Sequence, residues 1–177
     1  MKTIVIHPKD ITTNFLSAIY KDQKDWTVVR EKRNPFKLKQ MVRGYQRIIL
    51  LGHGSEYGLI GFHKYVVDIE WIDILKRDHI ELVCIWCNAD IFIKKHDLKP
   101  KLYTGMIISE LEEAINECVI CTSKDIEESN WLFAYTISQF LDHEYFLQYI
   151  QAYYTHSLDA ANNVIEFNKT KIYSSRI

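Results

Sequence analysis

The chain carries no excess of charge of either sign: 22 lysines and arginines stand against 23 aspartates and glutamates in 177 residues. No net field is left to hold a polyanion or to favour an anionic membrane, so neither nucleic-acid nor membrane binding is indicated. Long hydrophobic runs are missing as well. The apolar start Ile4-Val5-Ile6 stops at His7-Pro8, too short for a signal-peptide core or a membrane span, and the expected setting is a soluble protein of the cytoplasm. No Ser/Pro-rich linker, low-complexity stretch or internal repeat divides the sequence, which argues for a single domain over residues 1–177. No histidine stands in a metal spacing such as H-E-x-x-H, so no catalytic metal and no cofactor are expected.

What is present is apolar material for a full core, 47% of the residues with 13% aromatic, and four cysteines in two C-x-x-C pairs, Cys84/Cys87 and Cys118/Cys121. Zinc ribbons need tight turns that aim both thiolates of a pair at one ion. Here both pairs sit in apolar, extended-looking segments, where residues three apart point to opposite faces. Cys84, Cys118 and Cys121 therefore read as small buried hydrophobes.

Three apolar runs, residues 3–7, 26–30 and 46–51, alternate with two stretches of helical character, 11–20 and 35–44. Such alternation argues for crossover units and an α/β fold with a mostly parallel central sheet. In the first helical stretch Ile11, Phe15, Ala18 and Ile19 recur at helical spacing behind Asp10 as N-cap. The second opens on Asn34-Pro35, a cap followed by proline at the first helical position, and closes on Gly44.

Four of the six glycines then crowd into 52–61 (Gly52, Gly54, Gly58, Gly61), marking an irregular loop that leads into a small hairpin. Further on the pattern predicts a helix at 70–76, a central strand at 80–86, a helix at 89–96, a strand at 102–108, a helix at 111–117 and a last strand at 119–122. The sheet-forming part thus spans about 1–125. Residues 126–177 read as helices packed on the same domain, with apolar faces at Phe133, Ile137, Phe140 and Leu141, at Phe146, Ile150 and Tyr153, and at Leu158, Ala161 and Ile165. The stripe Tyr145, Tyr149, Tyr153 is a packing face first, and it offers these aromatic C-terminal helices a surface for self-association.

Two segments carry the chemistry. Arg47-Ile48-Ile49-Leu50-Leu51-Gly52-His53-Gly54 and Glu81-Leu82-Val83-Cys84-Ile85-Trp86-Cys87-Asn88 each read as a buried strand ending on a reactive side chain. In an open α/β sheet the ligand crevice lies beyond the carboxyl ends of the parallel strands, so His53 and Cys87 are a candidate base and nucleophile. A helix starting near Asn88 would add to the lowering of the thiol pKa by His53. The backbone N–H groups of Gly54 and Cys87 are candidate oxyanion donors.

These residues resemble a family. A strand ending in His-Gly, a glycine-containing hairpin, a helix and a second strand ending in cysteine look like the caspase-like fold of cysteine peptidases, which includes caspases, metacaspases, gingipains, clostripain, separase and the CHAT domains. The order His before Cys and their separation of 34 positions fit. The resemblance covers roughly residues 1–125, its specific part being the two short blocks, and the fold it implies is a three-layer sandwich. By the same resemblance His53 and Cys87 are the dyad that cleaves peptide bonds through a thioester acyl-enzyme, Gly54 helps to hold the oxyanion, and the partner is a peptide or protein substrate.

The family usually has a small residue before the cysteine, where this chain has Trp86, whose ring must either enter the core or block the mouth of the site. The glutamine and glycine that flank the cysteine in caspases are absent, which places the sequence nearer the bacterial gingipain, clostripain and CHAT branches. Clan members with an acidic pocket cleave after arginine or lysine, and the candidates here are Asp90 and Glu110, each of which also suits the first turn of a helix.

Two other readings stand beside the peptidase: an inactive caspase-like scaffold serving as an interaction module, and a nucleotide-binding protein built on Gly52-His53-Gly54-Ser55-Glu56-Tyr57-Gly58. The latter spacing, G-x-G-x-x-x-G after the third strand, fits a phosphate loop poorly.

Overall fold

The computed structural model describes residues 1–155 and 162–175. Strand β1 (Thr3–Ile6) leads through a 3-10 helix (Asn14–Ile19) to β2 (Thr27–Val29), and helix α1 (Pro35–Val42) leads to β3 (Arg47–Leu51). Three short strands follow, β4 (Gly54–Ser55), β5 (Gly58–Gly61) and β6 (Lys64–Val67). Next come a 3-10 turn (Ile69–Trp71), α2 (Ile72–Leu75), β7 (Glu81–Ile85), α3 (Ala89–Lys95), β8 (Leu102–Thr104), α4 (Leu111–Asn116), α5 (Ser123–Phe140), α6 (Phe146–Tyr153), α7 (Asn163–Lys169) and β9 (Ile172–Tyr173).

The main sheet has the order β2-β1-β3-β7-β8-β9. Its first five strands run parallel and β9 closes the edge antiparallel. A separate antiparallel sheet, β4-β5-β6, branches off after β3.

Side-chain alternation along the central strands decides the layers, because successive residues face opposite sides of a sheet. Ile4, Ile6, Ile48, Leu50, Leu82, Cys84 and Trp86 enter one core with Leu38 and Val42 of α1, Trp71 and Leu75, and Phe92 of α3. Val5, Ile49, Leu51, Val83 and Ile85 enter the other, with Leu16, Ile19, Phe133 and Ile137 of α5, Ile150 of α6 and Ile165 of α7. The result is a helix-sheet-helix sandwich. Each of these fully buried aliphatic side chains contributes about 1.5–3 kcal/mol, which is why strands read as continuous apolar runs lie at the centre of the sheet.

Several details depart from expectation. The helix expected at 11–20 is the shorter 3-10 segment Asn14–Ile19, and Ile11, assigned to its apolar face, is 90% exposed. Asp10 does not cap it: its carboxylate accepts from the backbone N–H and hydroxyl of Thr12, a local turn that competes with helix initiation. Asn34 caps α1 as expected, accepting from the N–H of Lys37. The hairpin after β3 is a three-stranded meander.

Strand β8, expected to run to 108, ends at Thr104, and the N–H of Gly105 makes the last bond toward β9, donating to the carbonyl of Lys171 at 2.9 Å. Beyond it, the buried Asn168 side chain accepts from the N–H of Ile108 at 2.8 Å and donates to its carbonyl at 2.9 Å, standing in for a neighbouring strand. Residues 119–122 form no strand. Cys118, expected to be buried, is exposed at φ 56°, and the chain runs straight on to Thr122, which caps α5. The edge position goes to β9 instead. In α6, Tyr153 is exposed while Tyr154 is buried with its hydroxyl bonded to Ser129 at 2.6 Å. Leu158 and Ala161 lie outside the described residues.

At the amino ends of β3 and β7 the buried Arg47 donates to Glu81 at 2.6 Å and to Asp142, and Lys101 stands 3.6 Å from Glu81. Removing one member of a buried charge cluster strands the others. Glu81→Leu is expected to lower stability by about 3–5 kcal/mol, read as a shift in the urea midpoint with an unchanged slope.

Candidate active site

The last ladder pair between the two central strands is Leu51 with Ile85, and the N–H of Gly52 extends it by donating to the carbonyl of Ile85 at 3.1 Å. His53 and Cys87 therefore stand at the same offset beyond two adjacent parallel strands, and both line one narrow cleft with Leu16, Ile107 and Phe133. Gly52 leaves β3 with φ 138° and Asn88 leaves Cys87 with φ 66°, so each reactive residue is followed or preceded by a left-handed turn away from the sheet. The carbonyl of His53 accepts from the N–H of Ile60 at 2.8 Å, which ties it to the meander.

His53 is held by the loop after β1. Its Nε2 lies 2.6 Å from the hydroxyl of Thr12, and that hydroxyl donates to the Asp10 carboxylate at 2.8 Å. A hydroxyl has one proton. With Asp10 ionised, Thr12 gives its proton to Asp10 and accepts from Nε2–H of His53, which leaves Nδ1 as the basic nitrogen. Hydrogen bonding to Thr12 holds the Asp10 carboxyl below its ordinary pKa, consistent with that assignment. Two carboxylates flank the ring: Asp10 at 3.6 Å and Glu110 at 3.9 Å from Nε2.

Cys87 does not hydrogen-bond to His53. Its thiol lies 3.5 Å from the carbonyl of Ile107 and 3.6 Å from Oε1 of Glu113. Burial, and after it the Glu113 carboxylate, push its pKa up to about 12. The free side of Glu113 is fully used: Oε2 accepts from the N–H and hydroxyl of Ser109 and from the N–H of Glu110 at the start of α4. The arrangement keeps Cys87 as a neutral thiol beside an anion.

The residue before the cysteine enters the core. The Trp86 ring is 2% exposed, meets Phe92 edge to face and donates from Nε1 to the carbonyl of Ser55. Its backbone is clamped by the hydroxyl of Thr104, which accepts from its N–H and donates to its carbonyl. The indole also explains Gly54: a Cβ there would lie 2.0 Å from Trp86 Cδ1 and 2.7 Å from the carbonyl of Gly58.

Of the two pocket candidates, Glu110 stands at the mouth beside His53. Asp90 is turned to Lys94 at 3.0 Å along α3 and beside Gly105, away from the residues that line the cleft. Sequence reasoning missed Thr12, Thr104 and Glu113. Glu113 had a signal, since it closes the capping pattern Glu110-x-x-Glu113; the other two had none. Among the described residues no group of three or more His, Cys, Asp or Glu is placed to hold a metal ion, and no helix is long and apolar enough to cross a membrane.

No family model matches the chain, and no curated protein matches it. Among solved structures, an NADPH-quinone reductase from P. pentosaceus is similar at a TM-score of 0.31 and 20% identity over 49% of this chain, and the match spans 60% of that protein's length.

Two expectations follow from this geometry. Gly54→Ala should destabilise the fold by roughly 1–3 kcal/mol through overpacking against Trp86, seen in thermal melts. The second concerns His7, fully buried under the loop that holds His53, with Nδ1 2.9 Å from the Tyr20 hydroxyl and Nε2 3.3 Å from Thr13. Burial, and after it Arg30, lower its pKa from 6.5 to about 4. Between these values the unfolded chain binds the extra proton, so stability is fully present above pH 6.5 and falls as the pH drops toward 4, by about 3 kcal/mol. In His7→Gln that part of the acid slope should be absent from urea titrations.

Proposed function

We propose that this chain is a caspase-like cysteine peptidase in a resting arrangement, with Cys87 as nucleophile and His53 as base. The observation that carries the reading is the level placement of the two residues, each two positions past the paired ends of β3 and β7, on one cleft. The order of elements that the resemblance requires supports it too: a strand ending in His-Gly, a small antiparallel sheet, a helix, and a neighbouring parallel strand ending in cysteine. With all four cysteines unpaired, as in a reducing compartment, the same reading puts the protein in the cytoplasm.

In the mechanism, Nδ1 of His53 takes the thiol proton, and the Thr12-Asp10 chain holds the ring by Nε2. The thiolate adds to the carbonyl carbon, and the N–H groups of Gly54 and Cys87 receive the developing oxyanion. Collapse expels the amine, which takes its proton from His53, and leaves a thioester that water hydrolyses with His53 again acting as base. For this to run, the thiol must leave the Ile107 carbonyl and Glu113 and turn toward His53, so peptide entry or another activating event is part of the proposal. Glu110, at 3.9 Å from His53, is the group best placed to meet a basic side chain at the cleft. Asp90, paired with Lys94, is the weaker candidate.

A second reading, the inactive scaffold, has its own observation: the thiol is shielded and its pKa lies at about 12, whereas catalysis needs a thiolate. In that case the exposed aromatics Tyr145 and Tyr153 of the C-terminal helices are the surface for self-association.

Alkylation of Cys87 by iodoacetamide, followed site by site by mass spectrometry, separates the two. The free protein should label slowly at pH 8. Glu113→Gln should label several-fold faster at the same pH, because each unit of pKa lowering raises the thiolate fraction about tenfold, yet burial will keep the pKa above that of a free cysteine. A peptidase should gain His53-dependent labelling by a peptidyl acyloxymethylketone. Labelling that never depends on His53 would leave only the scaffold.

A further inference from the structure

We propose that the far end of a trough leading away from the His53-Cys87 cleft, between the loop after β2 and strand β6, binds an extended acidic peptide segment that also carries apolar side chains. As a substrate subsite this rests on the peptidase reading; as a peptide site it does not.

Three adjoining depressions make the trough. The cleft of Cys87 shares Thr13 and His53 with a second depression over Pro8, Ile60 and Phe62. The second shares Pro8 and Phe62 with a third, a shallow depression between the loop after β2 and strand β6. The walls of that third depression are apolar, with Ile6, Val29, Leu38 and Val66, while its rim carries Arg30, Lys32, Arg33 and Lys64 against the single carboxylate of Glu31. Among the described residues none of these four cations is in an ion pair, and Arg30 alone is engaged otherwise, donating to Oδ1 of Asn14 at 3.0 Å. In a chain close to neutral overall, the three free cations Lys32, Arg33 and Lys64 beside an apolar floor form a local field that favours a carboxylate-bearing partner.

The backbone supplies the second half of the argument. Strand β6 pairs with β5 on one side and is the edge of its sheet, so its outer N–H and C=O groups can take on another strand. Lys64, Tyr65 and Val66 of this edge line the third depression. A peptide added there would present alternate side chains to the apolar floor and to the cationic rim. At the junction, Phe62 and His63 make the β5-β6 turn with φ of 55° and 61°, conformations that cost about 1–2 kcal/mol per residue outside glycine. The turn places Phe62 in the wall common to two depressions.

The test uses the Cys87→Ala protein and a fluorescein-labelled peptide alternating glutamate with leucine and valine, with lysine-for-glutamate and glutamine-for-glutamate versions as controls, read by fluorescence anisotropy. The acidic peptide should bind, more weakly as salt rises, and the lysine version should not. The double variant Arg33→Glu/Lys64→Glu should bind the acidic peptide at least about 10-fold more weakly while keeping the thermal midpoint of its parent. Should that variant unfold, the contrast between the three peptides on the parent protein decides alone. Equal binding of all three peptides, no binding at all, or displacement of the acidic peptide by anionic lipid vesicles at lower concentration than by unlabelled peptide would each overturn the proposal. Failure of His53-dependent labelling in wild type removes the peptidase reading and leaves this peptide site standing.

Discussion

The parallel ladder between β3 and β7 is the constraint on which the remaining structure depends. At its amino end Arg47 stands opposite Glu81, and at its carboxyl end Leu51 stands opposite Ile85. Both strands are buried on two faces, so a slip of one residue would send Ile48 and Leu50 to the wrong core and would separate the buried guanidinium from its carboxylate. The register that satisfies the charges at one end is the same register that brings His53 and Cys87 level at the other. Stability and the candidate chemistry are thereby set by one alignment.

Around that alignment the two halves of the candidate dyad are restrained differently. His53 is fixed through Nε2 by the Asp10-Thr12 turn and through its carbonyl by β5, which leaves its other ring nitrogen for proton transfer. Cys87 lies against the Ile107 carbonyl and is kept a neutral thiol by burial and, after it, by the Glu113 carboxylate, itself held by three donors around Ser109 and Glu110. Such a site has its base oriented and its nucleophile unionised. What keeps the thiol unionised is desolvation, then the Glu113 carboxylate and, more weakly, that of Glu110, and all three depend on what the thiol faces.

Packing and chemistry overlap at Gly54. The backbone N–H of Gly54 is a candidate oxyanion donor, which any residue could supply, whereas packing requires glycine itself, since the Trp86 indole fills the space a Cβ would take. The unusual tryptophan before the cysteine and the glycine after the histidine are thus one packing solution. A loss of activity on replacing Gly54 would therefore report folding before it reported the oxyanion.

The sequence by itself determined the α/β class, the central strands, helices α1, α3 and α4, and the two strand ends that carry His53 and Cys87, because buried parallel strands and capped helices leave apolar runs and cap residues at fixed offsets. It did not determine the sheet edge: 119–122 and 172–173 are comparably short and apolar, and only the packing of α4, α5 and α7 decides which one reaches β8. The C-terminal faces were legible only in part, since Tyr153 and Tyr154 are adjacent and only the fit against Ser129 selects the buried one. Nor did it show that Thr12, Thr104 and Glu113 hold the site, for their side chains act across 41, 18 and 26 positions of sequence, and such contacts leave no local periodicity. The tertiary structure alone decided the protonation of the thiol, because burial and a neighbouring carboxylate are properties of the folded surroundings and not of the residue.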